Sequence, residues 1–256
     1  MINHEKMELT AEKIIHTIED FAPKNLAIEG DNIGLQVGND LNKSVERIGI
    51  ALDPSLKVIK GAHNKNVDFL FTHHPILKDP IKSFNGLIYE KLKILIDRDI
   101  ILYSAHTNLD ICKNGLNDAL AKLYNLKDVE YLYSNGLGRI GVFNGTFEDI
   151  LHLTKKYLNE NPKVVNLEIV EDKRVFKVAV LSGYGLSQRD IAQVSKLADV
   201  YISGDSTHHS EILAEDLNLC VIDAGHYGTE VYGLKEFLKY LNGVFDNDID
   251  IISLDF

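Results

Sequence analysis

Cysteine is scarce in this 256-residue chain. Only Cys112 and Cys220 occur, far apart and without a CxxC or CxxH neighbour, which excludes a disulfide framework and a zinc finger. Both thiols are expected to be reduced and in or near a core. Long apolar runs are also lacking. None approaches the ~18 residues that a membrane span requires, and Met1-Ile2-Asn3-His4-Glu5-Lys6 lacks the basic-then-apolar order of a secretory signal. The expectation is a cytoplasmic protein with no membrane association. Basic residues are outnumbered, 27 Lys and Arg against 38 Asp and Glu, for a formal charge of −11. Such a balance repels phosphate backbones and anionic lipids unless a local basic patch overrides it. The nearest thing to a patch, Lys155-Lys156, reads as a solvated helix face, which argues against nucleic acid as a partner.

What is present is the composition of an ordinary globular protein, 45% hydrophobic and 25% charged, with length enough for one large α/β domain or two smaller ones. Strand-length apolar runs alternate with segments of helical period, the pattern of a mostly parallel sheet covered by helices. Helices are expected at residues 11–21, 55–65, 86–98 and 115–124, with strands at 47–52, 67–72 and 100–104 between them. After Asn125 the texture changes, with Gly136-Leu137-Gly138 interrupting the alternation. Beyond it, strands are expected at 139–145, 164–170, 175–181, 200–203, 219–223 and 250–254, and helices at 148–159, 187–197, 210–216 and 229–241. The strands 164–170 and 175–181 read as a hairpin. The overall expectation is two α/β modules with mixed, mostly parallel sheets, residues 1–125 and 126–256.

Six of the ten histidines fall in four loops, each directly after an apolar strand. In open α/β sheets ligands collect at the carboxyl ends of strands, so these loops are candidates to converge on one crevice. Thr72-His73-His74-Pro75 offers two adjacent imidazoles; taken alone they are a pair of turn histidines, but adjacent side chains splay apart and so suit two metal ions better than one. Ser104-Ala105-His106-Thr107-Asn108-Leu109-Asp110 offers an imidazole and a carboxylate, with Asp110 equally readable as a helix N-cap. Asp223-Ala224-Gly225-His226-Tyr227-Gly228-Thr229-Glu230 places His226 and Glu230 four apart, hence on one helix face. In Gly204-Asp205-Ser206-Thr207-His208-His209, Asp205 or Ser206 reads as a cap, and His209 is favoured over His208 as a proton shuttle or substrate contact. Three imidazoles (His73, His74, His226) and two carboxylates (Asp110, Glu230) make a ligand set for two divalent ions, with His106 and His209 as catalytic candidates. Nitrogen and oxygen donors without thiolate suit zinc, iron, manganese, cobalt or nickel alike. Gly34 and Gly38 are expected to shape a turn, either beside the site or remote from it.

These motifs resemble those of the Nif-three-like proteins, also described as GTP cyclohydrolase I type two homologues. The resemblance runs through Glu29-Gly30-Asp31-Asn32-Ile33-Gly34-Leu35-Gln36-Val37-Gly38, Thr72-His73-His74-Pro75, Ser104–Asp110, Gly138-Arg139-Ile140-Gly141, Gly204–His209 and Asp223–Glu230, nearly the whole chain. It implies two α/β modules with a dinuclear metal site between them, held by His73, His74, Asp110, His226 and Glu230. It also implies assembly into a homohexamer. Many relatives have tryptophan where Gly30 stands, and this chain has none.

Two functions stay open on the sequence. One is a metal-dependent hydrolase in which water activated by two cations attacks carbon or phosphorus, acting on a small molecule such as a nucleotide, although no P-loop accompanies it. The other is a non-catalytic metal-binding or regulatory protein, for which a closed ligand set would argue.

Overall fold

The computed structural model describes residues 9–245 and 249–256. In chain order the elements are α1 (Ala11–Phe21), β1 (Gly34–Val37), β2 (Arg47–Ala51), α2 (Leu56–Asn64), β3 (Phe69–Thr72), α3 (Gly86–Asp97), β4 (Ile101–Ser104) and α4 (Thr107–Ile111). There follow α5 (Leu116–Leu123), β5 (Lys127–Tyr131), β6 (Arg139–Asn144), α6 (Phe147–Tyr157), β7 (Lys163–Val165) and β8 (Val175–Tyr184). The remainder are α7 (Gln188–Val194), β9 (Val200–Gly204), α8 (His208–Asp216), β10 (Cys220–Asp223), α9 (His226–Phe245) and β11 (Asp250–Ser253). The chain divides into two compact units, Met1–Cys112 with Phe237–Phe256, and Lys113–Glu236. No described helix is long and apolar enough to cross a membrane.

The first unit holds a five-stranded sheet in the order β1-β4-β3-β2-β11. Strands β11, β2, β3 and β4 run parallel, and β1 is antiparallel on β4. Phe69-Leu70-Phe71-Thr72 and Ile101-Leu102-Tyr103-Ser104 are buried at every position, as a parallel sheet covered on both faces requires. Helix α1 starts where the Thr10 hydroxyl accepts from Lys13 N, and buries Ala11, Ile14, Ile15 and Ile18 on one face.

The second unit holds a six-stranded sheet in the order β5-β6-β8-β9-β10-β7. Its centre, β8-β9-β10, is parallel, and β5, β6 and β7 are antiparallel to their neighbours. Period-two alternation sorts the side chains into two cores. Phe176, Val178, Val180, Val200, Ile202, Cys220 and Ile222 pack on one face, and Ala179, Leu181, Tyr201 and Val221 on the other.

Both units are thus α/β with mixed sheets, as expected, but the second is not mostly parallel, since three of its five strand pairings are antiparallel, and three local expectations change as well. Residues 164–170 and 175–181 form no hairpin. Strand β7 ends at Val165, Asn166 takes φ +66°, and Leu167–Ile169 is a 3-10 turn, so β7 pairs with β10 while β8 lies between β6 and β9. The glycine segment 34–38, expected as a turn, contains the edge strand β1; Gly34 and Gly38 have φ +94° and +144°. The last strand, placed with residues 126–256 by sequence texture, pairs with β2 in the first sheet.

Arg139, from the Gly138-Arg139-Ile140-Gly141 motif, is 3% exposed. It pairs with Asp118, donates to the carbonyls of Gly136 and Gly138, and lies 4.5 Å from the Tyr131 ring centroid. Removing one partner strands the other charge and both carbonyls. Arg139→Ala should therefore lower unfolding stability by about 3–5 kcal/mol, the scale for breaking a buried pair. An unchanged urea midpoint and slope would show that the motif arginine is not structural.

Candidate metal centre

In the first unit the carboxyl ends of β2, β3 and β4 deliver Asp53, His73 with His74, and His106 with Asp110. The turn after β3 is fixed by backbone pairing, His73 N to Ala51 O at 3.2 Å and His74 N to Leu52 O at 3.0 Å. The Thr72 hydroxyl holds the His74 carbonyl at 2.8 Å and the Ser104 hydroxyl at 2.9 Å. The three rings gather, with centroids 5.1 Å apart for His73–His74, 5.1 Å for His73–His106 and 5.4 Å for His74–His106. Their ligand nitrogens all lie within 4.8 Å of one another. Asp110 is 6% exposed, and its Oδ2 lies 3.8 Å from His73 Nε2. It is no N-cap: it sits in the body of α4, whose cap position is His106.

Each of these imidazoles has its Nδ1 held. His73 Nδ1 meets the Ala105 carbonyl at 2.9 Å, His74 Nδ1 meets Asp53 at 2.8 Å, and His106 Nδ1 meets Asp31 at 2.8 Å. An acceptor on one ring nitrogen fixes ring orientation and tautomer, so the other nitrogen is the one presented as a donor atom. Asp31 also accepts from the Thr107 amide and hydroxyl. Burial opposes its ionisation, but the hydrogen bonds from His106 and Thr107 outweigh that and pull it down to about 2.

In the second unit His226 opens α9 and Glu230 follows one turn later, the spacing the sequence indicated, although the helix starts three residues before the expected Thr229. His226 Nε2 lies 3.1 Å from Glu230 Oε2, and Nδ1 lies 2.6 Å from Asp205 Oδ2. Glu230 is 4% exposed. Asp205, read as a cap, instead takes φ +66° and turns its carboxylate to His226, while Thr207 caps α8. His208 and His209 are exposed in the first turn of α8, their rings 5.5 Å apart.

The structure therefore brings together His73, His74, His106 and Asp110 in one unit, and His226 and Glu230 in the other. Sequence reasoning missed Asp31, Asp53 and Asp205 as orienting carboxylates. The first lay inside a motif read for its glycines, the second closes a strand end, and the third was assigned to a helix. The donor chemistry fits a divalent cation: imidazoles aimed through Nε2, next to buried carboxylates whose charge needs compensation.

A family model described as Duf34/NIF3 (NGG1p interacting factor 3) matches residues 9–256. A Methanocaldococcus jannaschii protein named GTP cyclohydrolase 1 type 2 homolog is 64% identical over 248 residues, covering 97% of this chain and 100% of the relative. A Clostridium acetobutylicum protein of the same name is 36% identical over 250 residues, covering 93% and 91%. The solved structure of reduced HcgD from Methanocaldococcus jannaschii superposes with a TM-score of 0.93 at 63% identity, covering 97% of this chain and 99% of that one.

Hydrogen bonding to Glu230, opposed by burial and aided by Asp205, raises the His226 pKa from 6.5 to about 9. A raised histidine stabilises the metal-free fold fully below pH 6.5, and the contribution fades as pH rises through about 9. Histidine NMR titration of metal-free protein should place His226 near that upper value, and Glu230→Gln should bring it down. A midpoint at the ordinary value in the parent protein would show that the Glu230 contact does not form in solution.

Proposed function

The chain belongs to the Duf34/NIF3 family, and from that premise we propose a metal-dependent hydrolase with two divalent ions per chain. The observation that carries the proposal is the set of imidazoles clamped at Nδ1 beside buried carboxylates. His73, His74, Asp110, His226 and Glu230 are the ligands in this reading. Ions held there would supply Lewis acidity for the activation of water. Zinc, iron, manganese, cobalt and nickel all accept such nitrogen and oxygen donors.

The chain's own residues do the rest. Asp53 and Asp205 hold His74 and His226 in one tautomer, so those rings reach the ions as neutral donors. Asp31 anchors His106, and we assign proton transfer to and from the reacting group to His106 or to the exposed His209. Relatives named GTP cyclohydrolase 1 type 2 homolog make GTP the first substrate to test, followed by other nucleotides and phosphoesters. The same family reading proposes a homohexamer, acting in the cytoplasm.

Protein purified without chelator should carry close to two metal equivalents per chain by elemental analysis. A reproducible ceiling of one, after reconstitution, rules out the dinuclear reading. Glu230→Gln should weaken metal binding and abolish turnover, since a neutral amide is a poorer donor to a cation.

His106→Ala and His209→Ala should keep both ions and slow turnover by ~10²-fold or more, the scale for losing a positioned proton-transfer group. Full metal loading with no turnover across the substrate panel would favour the alternative, a non-catalytic metal-binding or regulatory protein.

A further inference from the structure

We propose that Gly183 is the positioning residue of the second donor set, its missing side chain being the space that the Glu230 carboxylate fills. The inference rests on the metal-binding reading of His226 and Glu230 and adds a residue that neither motif nor spacing singled out. Gly183 lies near the carboxyl end of β8, where pairing with β9 shifts register between Val180 and Tyr184. Its φ is +70°, and its amide donates to the Thr229 hydroxyl at 2.9 Å. That hydroxyl donates in turn to the carbonyls of Gly225 and His226. The first turn of α9 is thereby tied to bare strand backbone.

A Cβ at Gly183 would stand 2.2 Å from Glu230 Oε1, 3.0 Å from its Cδ and 3.3 Å from His226 Nε2. A methyl group and the carboxylate therefore cannot share this space. Gly204, at the end of β9, backs the same turn: a Cβ there would lie 2.4 Å from the His226 amide nitrogen. The two glycines differ in what must yield. At Gly204 the obstacle is backbone, so a side chain would displace the helix. At Gly183 it is the far end of a flexible side chain, which can rotate away while the fold persists. A side chain at Gly183 should therefore remove the Glu230 oxygen from the site without deleting any ligand residue.

The test uses Zn²⁺ alone as the probe, in competition with a chromophoric chelator, on the full chain. Gly183→Ala is expected to weaken Zn²⁺ binding by about tenfold or more, the scale for disturbing groups that orient metal ligands. Gly183→Asn tests the same Cβ with a residue that tolerates positive φ, and should lose affinity similarly even where the alanine variant folds poorly. Gly86→Ala, at φ +55° with nothing within 4 Å of the added Cβ, controls for backbone strain and should bind as the parent does. Glu230→Asp alone should weaken binding, yet combined with Gly183→Ala it should bind better than Gly183→Ala alone, because the shorter carboxylate clears the methyl group. Parent-like affinity in both Gly183 variants, or strictly additive losses in the double variant, overturns the inference while leaving the metal site standing. A parent protein that takes up no Zn²⁺ overturns the metal-binding reading itself.

Discussion

An imidazole can be aimed only if one of its nitrogens is held, and the rest of this structure depends on that constraint. Four rings are anchored through Nδ1, three by carboxylates and one by a backbone carbonyl. Every anchor comes from the carboxyl end of a strand, from the turn after it, or from the segment leading into edge strand β1. The anchors must therefore be as rigid as the sheets that carry them. That is why strands β3 and β4 are buried at all positions and why hydroxyls of Thr72 and Ser104 are spent on the His74 carbonyl.

The acidic balance of the chain has the same logic at a different scale. Asp31, Asp53 and Asp205 each take a proton-bearing ring nitrogen as partner, and Asp110 and Glu230 lie buried beside imidazoles. Negative charge gathered next to neutral rings raises their affinity for any cation, a proton included. His226 shows the proton version, with its pKa pushed up to about 9. A divalent ion competes for the same lone pair, so metal uptake and proton release are linked.

Glycine contributes in the second unit by being absent of bulk where α9 begins. A Cβ at Gly183 would meet the Glu230 carboxylate, and one at Gly204 would meet the His226 amide nitrogen. The donor set is thus made as much by the residues that leave room as by those that fill it.

Much of this was legible in the sequence. Helix α1 has the expected bounds, because a capping threonine and an i, i+3, i+4 apolar stripe define it locally. The buried parallel strands announced themselves as short apolar runs, and six ordered motifs carried the family likeness that residues 9–256 bear out. His226 and Glu230 stand one turn apart because helical spacing dictates it. Local pattern did not reveal Asp205 as a partner for His226 rather than a helix cap, or Asp31 as the anchor of His106. Nor did it show that β8 lies between β6 and β9, or that β11 returns to β2. Periodicity and capping act within a few residues and so can be read along the chain. Which carboxylate meets which imidazole is set by strand order, which depends on contacts between residues up to about two hundred positions apart such as Arg47 and Asp250, and only the folded sheets decide it.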